Sequence, residues 1–273
     1  MGALFGALAA LSIGLADLFA RQIVNRRGSN VAAMMIQAVA TVVSLAMVLV
    51  IASAFGWRDV AIGAVSGVGL ALGLAWYLGG LARSSSAVVA PVVATLSAVI
   101  PFGYAVARGA SASVWSVAGA AIAVAGLVLV TAGGEPVANV GVGLRWALAS
   151  GMGYGLGLSV VIEVSEDSGA WPAFGQRAAA MVLMVLVVFR THGRVPVTGV
   201  RVLGIAAGTA AALSTVFYLL GVQADATPAV VTASMFPAVT VGVGSLVFGD
   251  SVSRTQVFGL GVVLVGVTAV VAA

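Results

Sequence analysis

The sequence predicts an all-α integral membrane protein with ten transmembrane helices, arranged as two inverted five-helix repeats. Three observations predict this fold class. The first is composition, because 62% of the 273 residues are hydrophobic and only 7% are charged. The second is a series of ten apolar segments of about 20 residues, the length that crosses a bilayer as a helix. The third is an internal repeat that relates the first half of the chain to the second.

Composition excludes several classes of protein. A soluble domain carries about 25% charged residues, and this chain has too few charges to cover a globular surface. The sequence contains no Cys, which excludes a disulfide framework and a thiolate metal site. All 12 basic residues are Arg, so the Lys of a nucleotide-binding P-loop is absent. A net charge of +4 offers no basic face for nucleic acid.

Short polar breaks separate the ten apolar segments, such as NRRGSN after the first and GDSVSR before the last. Four of the five Trp residues lie near segment ends, where an indole ring favours the headgroup level of a bilayer. The first segment has no basic n-region and continues into further apolar sequence, so we expect a retained helix rather than a cleaved signal peptide. The predicted spans are 2–21, 31–55, 60–82, 86–107, 113–132, 141–163, 171–190, 200–222, 228–248 and 255–272.

The internal repeat is visible at the end of each half. GASAS at 109–113 is echoed by GDSVS at 249–253, and the Gly pair that follows each motif recurs at an offset of 140. Several matches in one register favour a true repeat over chance similarity between Ala-, Gly- and Val-rich segments. An odd number of helices in each repeat gives the halves opposite membrane orientations. We therefore predict one membrane domain, with a first repeat over 1–135 and a second over 136–273.

The five-plus-five arrangement and the passages YLGGLARSSSAVVAPV and FPAVTVGVGSLVFGDSVSRTQVFGLGVVLVG resemble the EamA family of the drug/metabolite transporter superfamily. In that family a Pro, a dozen residues, Gly-Glu-Arg and a Ser end helices 4 and 9. This chain has Pro237, Gly249, Asp250 and Ser253, whereas its first half has Ala110 at the acidic position. The resemblance covers the whole chain and implies a secondary transporter. It does not specify the substrate, because the family carries many small metabolites and drugs on one scaffold.

Loop charges bear on the orientation of the chain in the membrane. Arg residues concentrate in the loops after odd-numbered helices, whereas most acidic residues outside the apolar segments follow even-numbered helices. The positive-inside rule places the Arg-rich loops in the cytoplasm and both termini outside. The family resemblance implies that both termini are cytoplasmic, so the orientation stays open.

Asp17 and Arg21 are a charged pair in the first apolar segment. At this spacing they share a helix face, in the order that favours an ion pair. The pair either fixes the helix end at the interface, or Asp17 is a protonatable group that couples transport to protons. If the helix ends at Arg21, Asp17 lies about 6 Å inside the terminus. We therefore expect an ionised Asp17, paired with Arg21 or a neighbouring helix, at the mouth of a cavity.

Arg177 and Gln37 form a second polar pair, at positions related by the offset of 140. Polar side chains in otherwise apolar helices face the interior of a bundle. There a guanidinium can bind a carboxylate or phosphate in a bidentate manner. The alternative is a structural Arg that reaches a nearby loop or the carbonyl groups of a neighbouring helix. On the first interpretation, both residues face a cavity between helices 1–4 and 6–9 that binds an anionic or zwitterionic substrate.

Proline residues inside the fourth and ninth segments mark candidate gates, because an internal Pro kinks a helix and paired kinks indicate a central site. Nearby hydroxyl side chains are candidates for the cavity lining. Aromatic residues late in the third and eighth segments are candidates for its wall, with ordinary packing as the alternative. The candidate gating residues are Pro91, Pro101, Pro228 and Pro237, and the candidate lining residues are Thr95, Ser97, Thr232, Ser234, Trp76, Tyr77, Phe217 and Tyr218.

These observations predict a secondary transporter that exports a small metabolite or drug-like solute by alternating access. A lipid or lipid-linked flippase on the same scaffold is the alternative. A membrane-embedded enzyme is disfavoured, because acidic residues and His do not converge at membrane depth. We expect no catalytic residues, metal or cofactor. The expected partners are a small-molecule substrate and membrane lipid, without nucleic acid, for a monomer or homodimer in the cell membrane, with a bacterial inner membrane as the expected location.

Overall fold

The computed structural model describes residues 1–50, 54–109, 113–132, 139–161, 163–193, 195, 197–224, 232–233 and 236–272. These residues form helices without any strand, as the all-α prediction requires. The predicted boundary between the repeats, at 135 and 136, lies outside the described residues. The α-helices within them are α1 Gly2–Arg27, α2 Ser29–Val50, α3 Trp57–Leu81, α4 Ser86–Ala107, α5 Val114–Ala132, α6 Val140–Val161, α7 Trp171–His192, α8 Arg201–Ala224, α9 Phe236–Phe248 and α10 Arg254–Ala272, with a 3-10 turn at Glu166–Ser168.

Among the described residues, five helices are long and apolar enough to cross a membrane. They are α1, α2, α3, α7 and the first 18 residues of α8. Large apolar side chains such as Leu49, Trp57 and Leu246 are exposed on the outside of the bundle. Exposed apolar surface of this extent is unfavourable in water and suits lipid. By length and composition of its helices, the chain is therefore a membrane protein.

The first helix is longer than the sequence predicted. α1 continues past Arg21 to Arg27, and Gly28 alone separates it from α2. Arg is a good helix former, and Arg26 and Arg27 in the last turn suit the negative end of the helix dipole. Gly28 ends the helix with φ 88°, a backbone conformation that residues with a side chain rarely adopt. The NRR sequence is therefore the end of a helix rather than part of a loop.

The main helix contacts join the two halves of the chain. α3 packs on α6 and α7, and α8 packs on α1 and α2. α4 packs on α6, α9 on α1, α2 on α7, and α5 on α10. This set of contacts is unchanged when every helix is exchanged for the helix five places away in the chain. The core between the halves is thus built from equivalent helix pairs.

Glycine residues allow these pairs to approach closely. A Cβ atom at Gly67 would overlap the carbonyl oxygen of Gln176 on α7, and one at Gly69 would lie against the backbone of Gly153 on α6. Gly63 lies likewise against the backbone of Pro172 on α7, and Gly73 against Tyr154 on α6. Small residues at i,i+4 spacing on α3 thus permit close helix contact.

α5 and α10 make a reciprocal contact of the same kind. A Cβ atom at Gly126 would overlap the backbone of Val263, and one at Gly266 would overlap the backbone of Ala123. Gly266 is 140 residues after Gly126, and Val263 is 140 residues after Ala123, so the repeat offset relates the two contacts to each other. Beyond each other, these two helices pack mainly on α4, beside the rest of the bundle.

Gly266→Ala should destabilise the protein, because the added methyl group would overlap the backbone of α5. Overpacking of this kind costs roughly 1–3 kcal/mol. Thermal unfolding in detergent micelles measures the effect. Gly261→Ala in the same helix is the matched control, since the added Cβ would meet open space, and Ala favours a helix more than Gly does. Equal unfolding temperatures for the two variants would contradict the close contact between α5 and α10.

Candidate functional site

A cavity of about 260 Å³ lies between the two halves of the chain. Side chains from eight helices line it, α1–α4 from the first half and α6–α9 from the second. These are the helices that the sequence predicted around the site. Ligand sites are typically apolar cavities with a few convergent polar groups, so this cavity is the candidate site. Its polar lining residues are Asp17, Tyr77, Ser97, Tyr154, Arg177 and Ser214.

Asp17 lies in the wall of this cavity, near the middle of α1. Because α1 continues to Arg27, Asp17 lies ten residues before the helix end, or about 15 Å at 1.5 Å per residue. Its side chain is buried, with 6% of the residue exposed. The predicted depth of about 6 Å took Arg21 as the last residue of the helix, whereas α1 continues to Arg27. The role of Asp17, at the cavity mouth or in proton coupling, stays a prediction.

Two hydroxyl groups hold the carboxylate of Asp17. The hydroxyl of Tyr77 on α3 donates to Oδ2 at 2.7 Å, and the hydroxyl of Thr240 on α9 donates to the same oxygen at 2.8 Å. Oδ1 receives no hydrogen bond from the part of the chain that the structure describes. The predicted partner from a neighbouring helix is therefore present, whereas Arg21 is not bonded to Asp17. The carboxylate ties α1 to one helix of each half.

Arg21 pairs with Asp250, in the loop between α9 and α10. Its Nη1 and Nη2 donate to the two carboxylate oxygens at 3.0 and 3.3 Å. The guanidinium also lies over the ring of Phe248, 4.0 Å from its centroid. The backbone N–H and hydroxyl of Ser86, the first residue of α4, donate to Asp250 at 3.2 and 2.7 Å. A loop carboxylate that accepts both arms of the guanidinium thus replaces the partner expected at i,i+4.

The charge of Asp250 is stabilised at this position. Burial raises the pKa of its carboxyl, but the hydrogen bonds from Arg21 and Ser86 outweigh burial and hold the pKa below the ordinary value of 3.8. The ion pair therefore persists at neutral pH. It joins α1, α4 and the α9–α10 loop at one end of the molecule, which we call the Asp250 end.

A second ion pair lies at the other end of α4. Arg108 follows α4 and donates to the carboxylate of Glu163, after α6, at 2.9 and 3.1 Å. The hydroxyl of Tyr104 donates to the same carboxylate at 3.0 Å. The hydrogen bond from Arg108 lowers the pKa of Glu163, and the same bond raises the pKa of Arg108. We call this the Glu163 end.

The two ion pairs differ in their exposure to water. The side chains of Arg21 and Asp250 are 14% and 11% exposed, whereas those of Arg108 and Glu163 are 61% and 30% exposed. An ion pair that is shielded from water is harder to separate than an exposed one, because separation leaves charges partly desolvated. The Arg21–Asp250 pair is therefore the more strongly held of the two.

Arg177 lies in the cavity wall on α7 and has neutral partners. Its Nη1 donates to Oε1 of Gln37 at 3.0 Å, and its Nη2 donates weakly to the hydroxyl of Thr215 at 3.4 Å. No carboxylate lies within ion-pair distance among the described residues. Gln37 is fully buried, and its Nε2 has no hydrogen-bond partner in the described part of the chain. The predicted polar pair is thus in direct contact, with Arg177 at the cavity rather than at a loop.

Sequence reasoning missed Tyr154. It lines the cavity from α6 and lies within electrostatic range of both Asp17 and Arg177. Its counterpart 141 residues earlier is Ile13, which also lines the cavity. Inspection of the residues paired by the repeat offset would have found it, because an aromatic hydroxyl in the Gly-rich segment GMGYGLGL is unusual. Also missed were two hydroxyl groups that bond the charged residues, Thr215 and Thr240.

Of the predicted aromatic wall, Tyr77 alone lines the cavity. Trp76 precedes it, and adjacent residues of a helix project about 100° apart, so the half-buried indole points elsewhere. Tyr218 is 38% exposed, and Phe217 stacks on Phe5 of α1 with ring centroids 6.4 Å apart. For these three residues, packing or exposure is the observed arrangement.

Of the predicted hydroxyl residues that the structure describes, one lines the cavity and two do not. Ser97 lines the cavity and donates to its own helix at the carbonyl of Val93, 2.7 Å away. Thr95 is 1% exposed and donates to the carbonyl of Pro91 at 2.8 Å. It is not among the residues that line the cavity. Thr232 donates to the carbonyl of Ala3 at 3.0 Å, near the start of α1, and does not line the cavity. Ser234 lies outside the described residues.

The predicted proline gates are described in part. α4 continues from Ser86 to Ala107 through both Pro91 and Pro101. Pro237 lies at the start of the described part of α9, and residues 234–235, directly before this part, are outside the described residues. Its role as a gate stays a prediction. Pro228 lies outside the described residues.

Comparison with protein-family models finds no match, and no curated protein that was compared matches the chain. The resemblance to the EamA family therefore stays a prediction from the sequence. The fold and the site define a helical membrane protein with a charged central cavity.

Tyr77→Phe should destabilise the protein, because it removes one of the two hydrogen bonds to the buried carboxylate of Asp17. The loss of a hydrogen bond to a charged group costs about 1.5–3 kcal/mol. Tyr218→Phe is the matched control, since Tyr218 is the sequence counterpart of Tyr77 and is 38% exposed. Thermal unfolding of both variants in one detergent gives the comparison. The same unfolding temperature for both would mean that the Asp17–Tyr77 hydrogen bond does not stabilise the fold.

Proposed function

We propose that the protein is a secondary transporter that moves a small solute across the membrane by alternating access between two inverted five-helix repeats. The observation that carries the proposal is the charged cavity between the two halves. An ionisable side chain at membrane depth is costly and typically marks a substrate or ion pathway. Here Asp17 and Arg177 both line one cavity near the middle of the bundle.

The contact pattern supports two repeats. The main contacts between the halves have an equivalent contact five helices away, such as α3 with α6 and α8 with α1. Ile13 and Tyr154, and likewise Asp17 and Leu158, are 141 residues apart, and all four line the cavity. A cavity at the interface of two repeats is the arrangement found in secondary transporters.

The two ends support opposite orientations for the repeats. Arg21, in the second half of α1, bonds at the Asp250 end, whereas Glu163, which follows the equivalent helix α6, bonds at the Glu163 end. α1 and α6 therefore run in opposite directions. Such antiparallel equivalents are the signature of inverted repeats.

The ion pairs at the two ends suit the role of gates. The pair at the Asp250 end joins α1 to the loop after α9, and the pair at the Glu163 end joins the segment after α6 to the residue after α4. Glu163 is one residue beyond the counterpart of Arg21, and Arg108 is two residues before Ala110, the counterpart of Asp250. The two pairs therefore lie near corresponding helix ends, with the charges exchanged. In the cycle that we propose, one pair opens while the other closes. The present conformation is the one closed at the Asp250 end.

The cavity indicates the kind of solute. Its volume of about 260 Å³ lies below the range of about 300–1,000 Å³ that is usual for drug-sized ligands. A small metabolite therefore fits better than a large drug. A guanidinium with neutral partners favours a solute with an anionic group, which it can bind through two parallel hydrogen bonds.

Arg177→Ala should reduce transport of solutes that carry an anionic group. The loss of one charge-assisted hydrogen bond corresponds to about a tenfold or greater decrease in flux. Flux into proteoliposomes is measured with a panel of labelled small anions, zwitterions and cations. Arg190→Ala, which changes an exposed Arg of the same helix, is the control and should leave flux unchanged. Equal flux through both variants, with equal amounts in the membrane, would contradict a binding role for Arg177.

Asp250→Asn should open the Asp250 end, because it removes the charge that Arg21 binds. The chain has no Cys, so Ser97→Cys supplies a single thiol in the cavity wall. The thiol is labelled with a membrane-impermeant maleimide from each side of the membrane. Asp250→Asn should increase labelling from the Asp250 end, and Glu163→Gln should increase labelling from the Glu163 end. Increased labelling from the same side in both variants would contradict two separate gates.

A further inference from the structure

We propose that the solute is a small zwitterion, which places its anionic group at Arg177 and its cationic group at Asp17. The inference rests on the proposed transport function and specifies the substrate class of the same cavity. It goes beyond the anionic group that Arg177 alone requires. The juxtaposition that carries it is one cavity lined by an acidic and a basic side chain from different halves of the chain, neither of them in an ion pair among the described residues.

The two charges come from different halves and are not paired with each other. Asp17 lies on α1 and Arg177 on α7, and both line the cavity. The ion pairs of the described residues involve other groups. These are Arg21–Asp250, Arg58–Asp59 and Arg108–Glu163. Arg21 lies near Asp17 but pairs with Asp250. A charge removed from water is stabilised by a direct ion pair, so a ligand with charges of both signs suits this lining.

Each charge also has unused hydrogen-bonding capacity. A guanidinium has five N–H donors, and Arg177 uses two of them, for Gln37 and Thr215. The hydroxyls of Tyr77 and Thr240 both donate to Oδ2 of Asp17, which leaves Oδ1 without a partner among the described groups. The protein therefore fixes the position of each charged group and leaves part of it available to a ligand.

Tyr154 indicates that the two charges border the same space. It lines the cavity from α6 and interacts electrostatically with Asp17 and with Arg177. Asp17, Arg177 and Tyr154 thus lie around one part of the cavity rather than in separate pockets. A ligand in that space meets a carboxylate on one side and a guanidinium on the other.

The charges of the lining select between ligand classes. The charges of Asp17 and Arg177 in their ionised forms sum to zero, so the ligand that matches both has no net charge but carries one charge of each sign. An anion leaves Asp17 unmatched, and a cation leaves Arg177 unmatched. The small volume and the apolar remainder of the wall favour an aminocarboxylate with a compact apolar side chain. The opposing interpretation is that Tyr77 and Thr240 alone satisfy Asp17 and that the cavity takes a simple anion.

The test compares three charge forms of one parent molecule. Counterflow into proteoliposomes is measured with the standard amino acids as zwitterions, with their N-acetyl derivatives as anions, and with their amides as cations. The inference predicts that at least one zwitterion is carried about tenfold or more faster than both of its derivatives. If N-acetyl derivatives or other simple anions are carried as fast as zwitterions, or if no zwitterion is carried, the inference is overturned. Flux of anions in that case leaves the proposed transporter function intact, whereas absence of flux for every probe contradicts the function as well.

Two variants test the assignment of each charge. Asp17→Asn should shift the preference from zwitterions toward N-acetyl derivatives, and Arg177→Gln should shift it toward amides. Asp59→Asn is the control, because Asp59 is a buried carboxylate that bonds Ser165 and does not line the cavity. It should leave the preference unchanged. If a cavity variant does not fold, the comparison of the three charge forms with the unmodified protein still decides the question.

Discussion

Charged groups at membrane depth must find their partners inside the protein, because lipid offers no hydrogen bonds. This constraint shapes the centre of the molecule. Asp17 accepts hydrogen bonds from hydroxyl groups on α3 and α9. Arg177 donates hydrogen bonds to an amide oxygen on α2 and to a hydroxyl group on α8. Each charge therefore ties helices of both halves together. The space between these two polar clusters is the cavity.

Close helix contact makes this arrangement possible. Glycines of α3 lie against the backbones of α6 and α7, and Gly204 and Gly208 of α8 lie against α2 in the equivalent way. The contacts of α3 and of α8 with the other half of the chain are therefore close. The described lining residues of the cavity come from α1–α4 and α6–α9, and α5 and α10 contribute none of them. Packing by small residues is the usual means of helix association where lipid replaces water.

Local pattern predicted the helices well, because apolar length and polar breaks determine a helix in a membrane. α4 was predicted with its observed bounds, and the repeat offset brought Arg177 and Gln37 together as candidates. The end of α1 was missed because NRR was taken as a loop, although Arg is compatible with a helix. Trp76 and Tyr77 of α3 were both predicted in the cavity wall, although adjacent residues of a helix project to different sides.

The partners of the charged groups were beyond sequence reasoning for a physical reason. Thr240 bonds Asp17 across 223 residues, and Asp250 bonds Arg21 across 229. Such contacts depend on how α9 packs on α1, and nothing in either segment signals its partner. The i,i+4 rule favoured the local pair of Asp17 and Arg21, but tertiary packing offers each of them a better partner. The sequence therefore predicts which residues are polar at depth, and the structure is required to pair them.

The measurement that tests the central claim most directly is the pair of distances across the two ends of the molecule. Spin labels at Asn25 and Ser251 report on the Asp250 end, and labels at Ala107 and Asp167 report on the Glu163 end. Pulsed electron–electron double resonance measures both distances in the native protein and in the Asp250→Asn variant. The account predicts that the variant lengthens the first distance and shortens the second, because the two ends open alternately. Lengthening of both distances, or a change at the Asp250 end alone, would contradict alternating access.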